Sequence, residues 1–120
     1  MSLKKILVAD DDPGIVDAMQ ILLEDEGYEV ITTGDGEAIP RMFDQKPDLV
    51  FLDIWMSGVN GNEVCSQLKS NSETSNIPII IFSANRDTEE IARQCGADGF
   101  LSKPFEIKDL MAMVHKYLKD

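Results

Sequence analysis

Three short stretches of this chain are apolar with no alternation: KKILVA over 4–9 past its two lysines, LVFL over 49–52, and IPIIIF over 77–82. A strand with one wet face alternates apolar and polar residues; a strand covered on both faces does not. These runs therefore predict strands inside a parallel sheet with helices on both sides. Parallel neighbours cannot be joined by a hairpin and need a crossover, which is right-handed and usually helical. The segments between the runs meet that need. Ile15, Met19, Leu22 and Leu23 share one face of a helix that runs to about Glu26 and stops at Gly27. Val64 and Leu68 are at helical spacing within 63–69, and 88–95 forms a helix closed by Gly96. The last helix carries Ile107, Leu110, Met111, Val114 and Leu118 on one face. YEVITT over 28–33 and a short run at 99–102 add two more strands. The order is (βα)5, an α/β fold.

One helix conflicts with its own sequence. Pro40 falls inside the second helical segment, where it removes a hydrogen bond and clashes one turn back, at a cost of ~3 kcal/mol. This helix is expected to start late, with Pro40 in its first turn, or to kink there, and to end before Pro47.

Residues 1–120 read as a single domain without linker or repeat. Acids number 22 against 11 bases, for a net charge of -11. That balance argues against direct binding to nucleic acid or an anionic membrane, and suits metal ions or a basic partner face. No apolar run approaches the ~20 residues needed to cross a bilayer, and no signal peptide is visible, so a cytoplasmic protein is expected. Cys65 and Cys95 lack metal-ligand spacing; they read as buried free thiols in preference to a disulfide.

The strand ends carry chemistry that their strands do not need. KKILVA runs into Asp10-Asp11-Asp12-Pro13. Asp12 has a local explanation, since Asp is a favoured N-cap and proline suits the first helical position. Asp10 and Asp11 have none. Asp53 ends LVFL, where a carboxylate is costly unless paired or ligated; for Asp53 alone, an N-cap or a solvated loop acid remains open. Ser83 and Lys103 end the fourth and fifth strands. A parallel sheet brings all these ends to one edge, where open α/β folds bind ligands. Three carboxylates within ~5 Å repel by roughly 3 kcal/mol per pair at an effective dielectric of 20. A raised pKa, a lysine or a divalent cation must compensate. Oxygen-only ligands favour Mg²⁺ over zinc. With a lysine and a hydroxyl added, the set suits phosphoryl transfer onto an acid.

The acidic pair after KKILVA, PDLVFLDIWMSGVNG, IIIFSAN and GADGFLSKPF together resemble the receiver domain of two-component response regulators (CheY-like) along the whole chain. The resemblance implies a flavodoxin-like, doubly wound sandwich with strand order 2-1-3-4-5. It implies that Asp53 is the phosphoacceptor, and that Asp11, Asp53 and the backbone carbonyl of Trp55 hold Mg²⁺, with Asp10 acting through water. Ser83 and Lys103 would hold the phosphoryl oxygens, Ser83 and Phe100 would form the switch, and the Lys103–Pro104 peptide bond would be cis. The implied partners are a sensor histidine kinase or a histidine phosphotransfer protein, and an output partner or domain reading the face of the fourth helix, fifth strand and fifth helix. A phosphorylation-dependent dimer is left open, as is whether the chain stands alone or belongs to a larger regulator. The expected role is a switch with self-catalysed phosphotransfer and autodephosphorylation, and not an enzyme in the usual sense.

Ser57 departs from the family, which usually has proline there, so a less rigid loop after Asp53 is expected; Pro40 and the third acid, Asp12, are also unusual. The rivals fit less well. A Mg²⁺-dependent phosphohydrolase needs a second acid poised as general acid/base and a cap or pocket, and no insertion is long enough to supply either. A flavodoxin-like small-ligand binder needs a glycine loop for phosphate after the first strand, where Asp10-Asp11-Asp12 would repel it. His115 reads as a solvated surface residue, and the six methionines read as packing residues.

Overall fold

Leu49–Asp53 (β3) is buried at every position and forms the centre of a five-stranded parallel sheet. Its neighbours are β1 (Lys5–Ala9) and β4 (Ile79–Ser83); β2 (Glu29–Thr33) and β5 (Gly99–Ser102) form the edges, in the order β2-β1-β3-β4-β5. The computed structural model describes residues 3–56, 59–84 and 87–118. Register pairs Val8 with Phe51, and Asp53 with Phe82, so the strand ends converge at one edge.

The sheet separates two apolar layers, as its unalternating strands require. Ile6, Val8, Leu49 and Phe51 pack toward α1 (Pro13–Asp25) and α5 (Ile107–Leu118) through Met19, Leu23, Leu110 and Val114. Leu7, Val50, Leu52 and Ile79 face α2 (Ile39–Met42), α3 (Gly61–Ser70) and α4 (Thr88–Cys95). No helix among the described residues is long and apolar enough to cross a membrane.

Local chemistry explains the boundaries. The Asp12 carboxylate accepts from the amides of Gly14 and Ile15, capping α1 as expected. The second helical segment is broken: 3-10 turns at Gly36–Ala38 and Phe43–Gln45 flank the single turn of α2, where Pro40 is the second residue. It starts late, as the proline demands. β4 begins two residues after the apolar run does, because Pro78 cannot donate to a ladder; the Ile77 amide instead bonds the Thr74 carbonyl at 3.0 Å. α3 begins at Gly61, earlier than its apolar pattern, because Asn60 caps it by accepting from the Asn62 amide. Ile107 is 56% exposed at the first residue of α5 and does not join the apolar face assigned to it.

The end of the sheet opposite the acids is tied by one lysine. Lys69 Nζ donates to the Ser75 carbonyl at 2.8 Å, the Ile77 carbonyl at 3.2 Å and Asp98 Oδ2 at 2.8 Å. Asp98 Oδ2 also accepts from the Ile79 amide at 2.9 Å. Asp98→Ala therefore strips a partner from both a half-buried lysine and the first amide of β4. An expected loss of about 2 kcal/mol is read from urea unfolding.

Candidate functional site

β1 delivers Asp10 and Asp11 to the acidic edge, and β3 delivers Asp53. Each of the three offers a carboxylate oxygen within 4.8 Å of the others. Their surroundings differ. Asp10 is 1% exposed; its Oδ1 accepts from the Asp12 amide at 2.9 Å and its Oδ2 from Lys103 Nζ at 2.7 Å. Asp11 is exposed. Asp53 is 5% exposed, accepts a long bond from the Trp55 amide at 3.4 Å and stands 3.7 Å from Lys103 Nζ.

Burial is the main reason that Asp53 is pushed up from 3.8 to about 6; the neighbouring Asp10 charge adds to it, while Lys103 and the Trp55 amide only partly offset it. A half-compensated acid facing two more is the arrangement that a hard cation relieves. The donor set, all oxygen and partly open to solvent at Asp11, fits such an ion.

Lys103 is held from several sides. Its amide donates to the Ser83 carbonyl at 2.8 Å, its Nζ lies 4.7 Å from the centre of the Phe82 ring, and its bond to Pro104 is cis, as the resemblance implied. Ser83 is 1% exposed at the end of β4, in register with Ser102. Phe100 lies two residues earlier on β5, half-buried, and lines a groove of about 370 Å³ with Ala92, Met113, Lys116 and Tyr117. The structure thus gathers Asp10, Asp11, Asp53 and Lys103 at one point. It places Ser83 beside Lys103, and Phe100 toward α4 and α5. Ser57 lies outside the described residues, and with it the expectation of a looser loop.

Two positions escaped sequence reasoning. Gly61 packs against the end of β3: a Cβ there would meet the Asp53 carbonyl oxygen at 2.6 Å and Ile54 Cα at 2.7 Å. Thr88, 1% exposed at the start of α4, donates its hydroxyl to the Ser83 carbonyl at 3.5 Å. A glycine after a polar loop and a threonine opening a helix are both unremarkable in sequence, so neither gave a signal.

A family model for the response regulator receiver domain matches residues 6–115. The chain belongs to this receiver family. It is 37% identical over 119 residues to the DNA-binding response regulator MtrA of Mycolicibacterium smegmatis, covering 97% of this chain and 51% of that protein. It is 38% identical to the alkaline phosphatase synthesis transcriptional regulatory protein PhoP of Bacillus subtilis, covering 97% of this chain and 49% of that one. The receiver domain of NtrX from Brucella abortus superposes with a TM-score of 0.85 at 31% identity, covering 95% of this chain and 98% of that domain. The chain spans about half the length of the curated relatives it matches. The sheet order is that of a CheY-like receiver, and receivers are phosphorylation-dependent signalling switches with an acidic Mg²⁺ pocket.

Trp55 gives this receiver a built-in reporter. It is the sole tryptophan and is 61% exposed, paired with Asn60 in a two-residue antiparallel ribbon beside the acids; it is not packed under a helix. Its amide reaches Asp53 Oδ1, so an ion drawing on that oxygen would disturb the ribbon. Adding Mg²⁺ is expected to change Trp55 emission, with a weaker response in Asp11→Ala. An unchanged midpoint in that variant would place the ion elsewhere on this acidic surface.

Proposed function

We propose that residues 1–120 act as one receiver unit that takes a phosphoryl group onto Asp53 from the phosphohistidine of a sensor histidine kinase or a histidine phosphotransfer protein. The observation that carries this reading is the buried Asp53 carboxylate facing Asp10 and Asp11, with Lys103 Nζ reaching two of the three. Asp11, Asp53 and the Trp55 carbonyl would hold Mg²⁺, and Asp10 would act through water. Bound there, the ion would supply charge that offsets the acids and the incoming phosphoryl oxygens together.

The chain's own residues do the rest. Asp53 must be ionised to attack phosphorus, and Lys103 favours that form. As the carboxylate oxygen bonds to phosphorus, the bond to the donor histidine nitrogen breaks. Lys103 then exchanges part of its contact with the acids for a phosphoryl oxygen, as a flexible point charge can, and the Ser83 hydroxyl donates to another. Drawing Ser83 inward makes room for Phe100 to turn, which alters the α4–β5–α5 face. One charge-assisted hydrogen bond, ~1.5–3 kcal/mol, suffices for a ~10- to 100-fold population shift. That face would pass the signal to an output partner or domain, or to a second copy in a phosphorylation-dependent dimer. The relatives named as DNA-binding or transcriptional regulators support an output in transcription, while the acidic receiver itself would not touch nucleic acid. Autodephosphorylation would return the switch to rest in the cytoplasm.

The test is chemical. With Mg²⁺ and acetyl phosphate, intact-mass spectra are expected to show one added phosphoryl group, removed by hydroxylamine and absent when a chelator replaces the metal. No uptake, or equal uptake with chelator, would overturn the proposal.

A further inference from the structure

α3 and α4 each carry one cysteine, and the two sulfurs meet. Cys65 Sγ and Cys95 Sγ are free thiols 2.9 Å apart across a sequence separation of 30 residues. Neither belongs to the acidic site; both lie in the apolar layer between β3, β4 and these helices. A disulfide needs ~2.05 Å between sulfurs, so the remaining gap is less than a bond length. The pair is asymmetric in access. Cys65 is 0% exposed, whereas Cys95, at 4%, lines a surface groove of about 240 Å³ with Asn62, Glu63, Ser66 and Gln94. It is asymmetric in chemistry as well. The coupling between the two sulfurs pushes the Cys65 thiol up, further aided by burial, and eases Cys95 below its ordinary value. The less deeply buried cysteine is also the better nucleophile.

We propose that Cys65 and Cys95 form a redox-closable staple between α3 and α4, with a peroxide as the oxidant and Cys95 as the sulfur it meets. The Cys95 thiolate attacks a peroxide oxygen; the O–O bond breaks, and the departing oxygen takes the electron pair and a proton. Cys95 becomes a sulfenic acid. Cys65 then attacks that sulfur, its thiol proton joins the departing hydroxide, and water leaves as the S–S bond forms. For hydrogen peroxide the balance is two thiols and one peroxide giving one disulfide and two waters. The staple ties the last turn of α4 to the middle of α3, beside the layer on which Phe100 packs. It restrains the helix that bounds the Phe100 groove, independently of any phosphoryl group.

The experiment exposes the folded, unphosphorylated chain to hydrogen peroxide without divalent cation, then unfolds and alkylates it. Both alkylatable thiols are expected to be lost, with the mass lower by two hydrogens, peptides containing Cys65 and Cys95 joined, and reversal by dithiothreitol. Cys65→Ser is expected to stop at a dimedone-reactive sulfenic acid on Cys95, and Cys95→Ala to leave Cys65 unmodified. Amide hydrogen exchange in Thr88–Cys95 is expected to slow by ~10-fold in the oxidised form. Thiols that both remain alkylatable, bridges only between molecules, or a bridge that leaves α4 exchange unchanged would each overturn the staple.

Discussion

Asp53→Asn is expected to take up no phosphoryl group and, without divalent cation at neutral pH, to be more stable than the parent by about 2–3 kcal/mol. The first effect follows from removing the proposed nucleophile while keeping its shape. The second follows from proton linkage. Asp53 sits near 6 in the folded chain against an ordinary 3.8, so between those values the folded state binds more protons than the unfolded one. Stability from this group is therefore full below about 4, falls as pH rises toward 6, and stays low above. About 2 units at 1.36 kcal/mol each set a ceiling of about 3 kcal/mol. The attraction to Lys103 already lowers the Asp53 value to about 6, so the expected gain approaches that ceiling. Asparagine cannot ionise and still offers an oxygen to the Trp55 amide, so it escapes the penalty. Urea unfolding at pH 7.5 should show the difference, and at pH 4 it should vanish. Mg²⁺ should narrow the gap at pH 7.5 by stabilising the parent more. Equal stability of the two proteins at pH 7.5 without metal would contradict the account of Asp53 as a strained carboxylate.

Gly61→Ala is expected to cost about 3 kcal/mol and to cut phosphoryl uptake by ~10-fold or more. The added methyl would stand 2.6 Å from the Asp53 carbonyl oxygen, 2.7 Å from Ile54 Cα and 3.0 Å from the Ile54 carbonyl oxygen. All three are backbone atoms at the end of β3, so no side chain can swing aside. The Gly61 amide also donates to the Ile54 carbonyl at 2.9 Å, which pins the start of α3 to the strand that carries Asp53. Relief must come from moving one or the other, and either movement displaces the acid. Gly34→Ala is the control: its nearest contact would be the Asp10 carbonyl oxygen at 3.5 Å, an ordinary approach, and a change under ~1 kcal/mol is expected. Thermal or urea unfolding separates the two variants, and the acetyl phosphate assay reads the site. A Gly61→Ala protein with normal stability and uptake would show that the end of β3 yields freely.

What could be read from residues alone was whatever acts over a few positions of chain. The unalternating runs at 6–9, 49–52 and 77–82 require burial on both faces, and buried parallel strands require helices between them, so the architecture and the edge where Asp10, Asp11, Asp53, Ser83 and Lys103 gather followed from pattern. The Asp12 cap and the late start forced by Pro40 are equally local. Boundaries were less legible where a single side chain intervened, as Asn60 does at α3 and Pro78 at β4. Tertiary structure alone decided the pairings. Lys103 reaches Asp10 across 93 residues and so leaves Asp53 the less compensated acid. Gly61 must be glycine because a strand end passes beneath it, Ile107 stays in solvent although the helical pattern assigned it to the apolar face, and two cysteines in separate helices meet at 2.9 Å. Periodicity and backbone preference are properties of neighbours along the chain, whereas charge compensation, steric exclusion and sulfur–sulfur approach depend on distances that exist only once the helices have packed against the sheet.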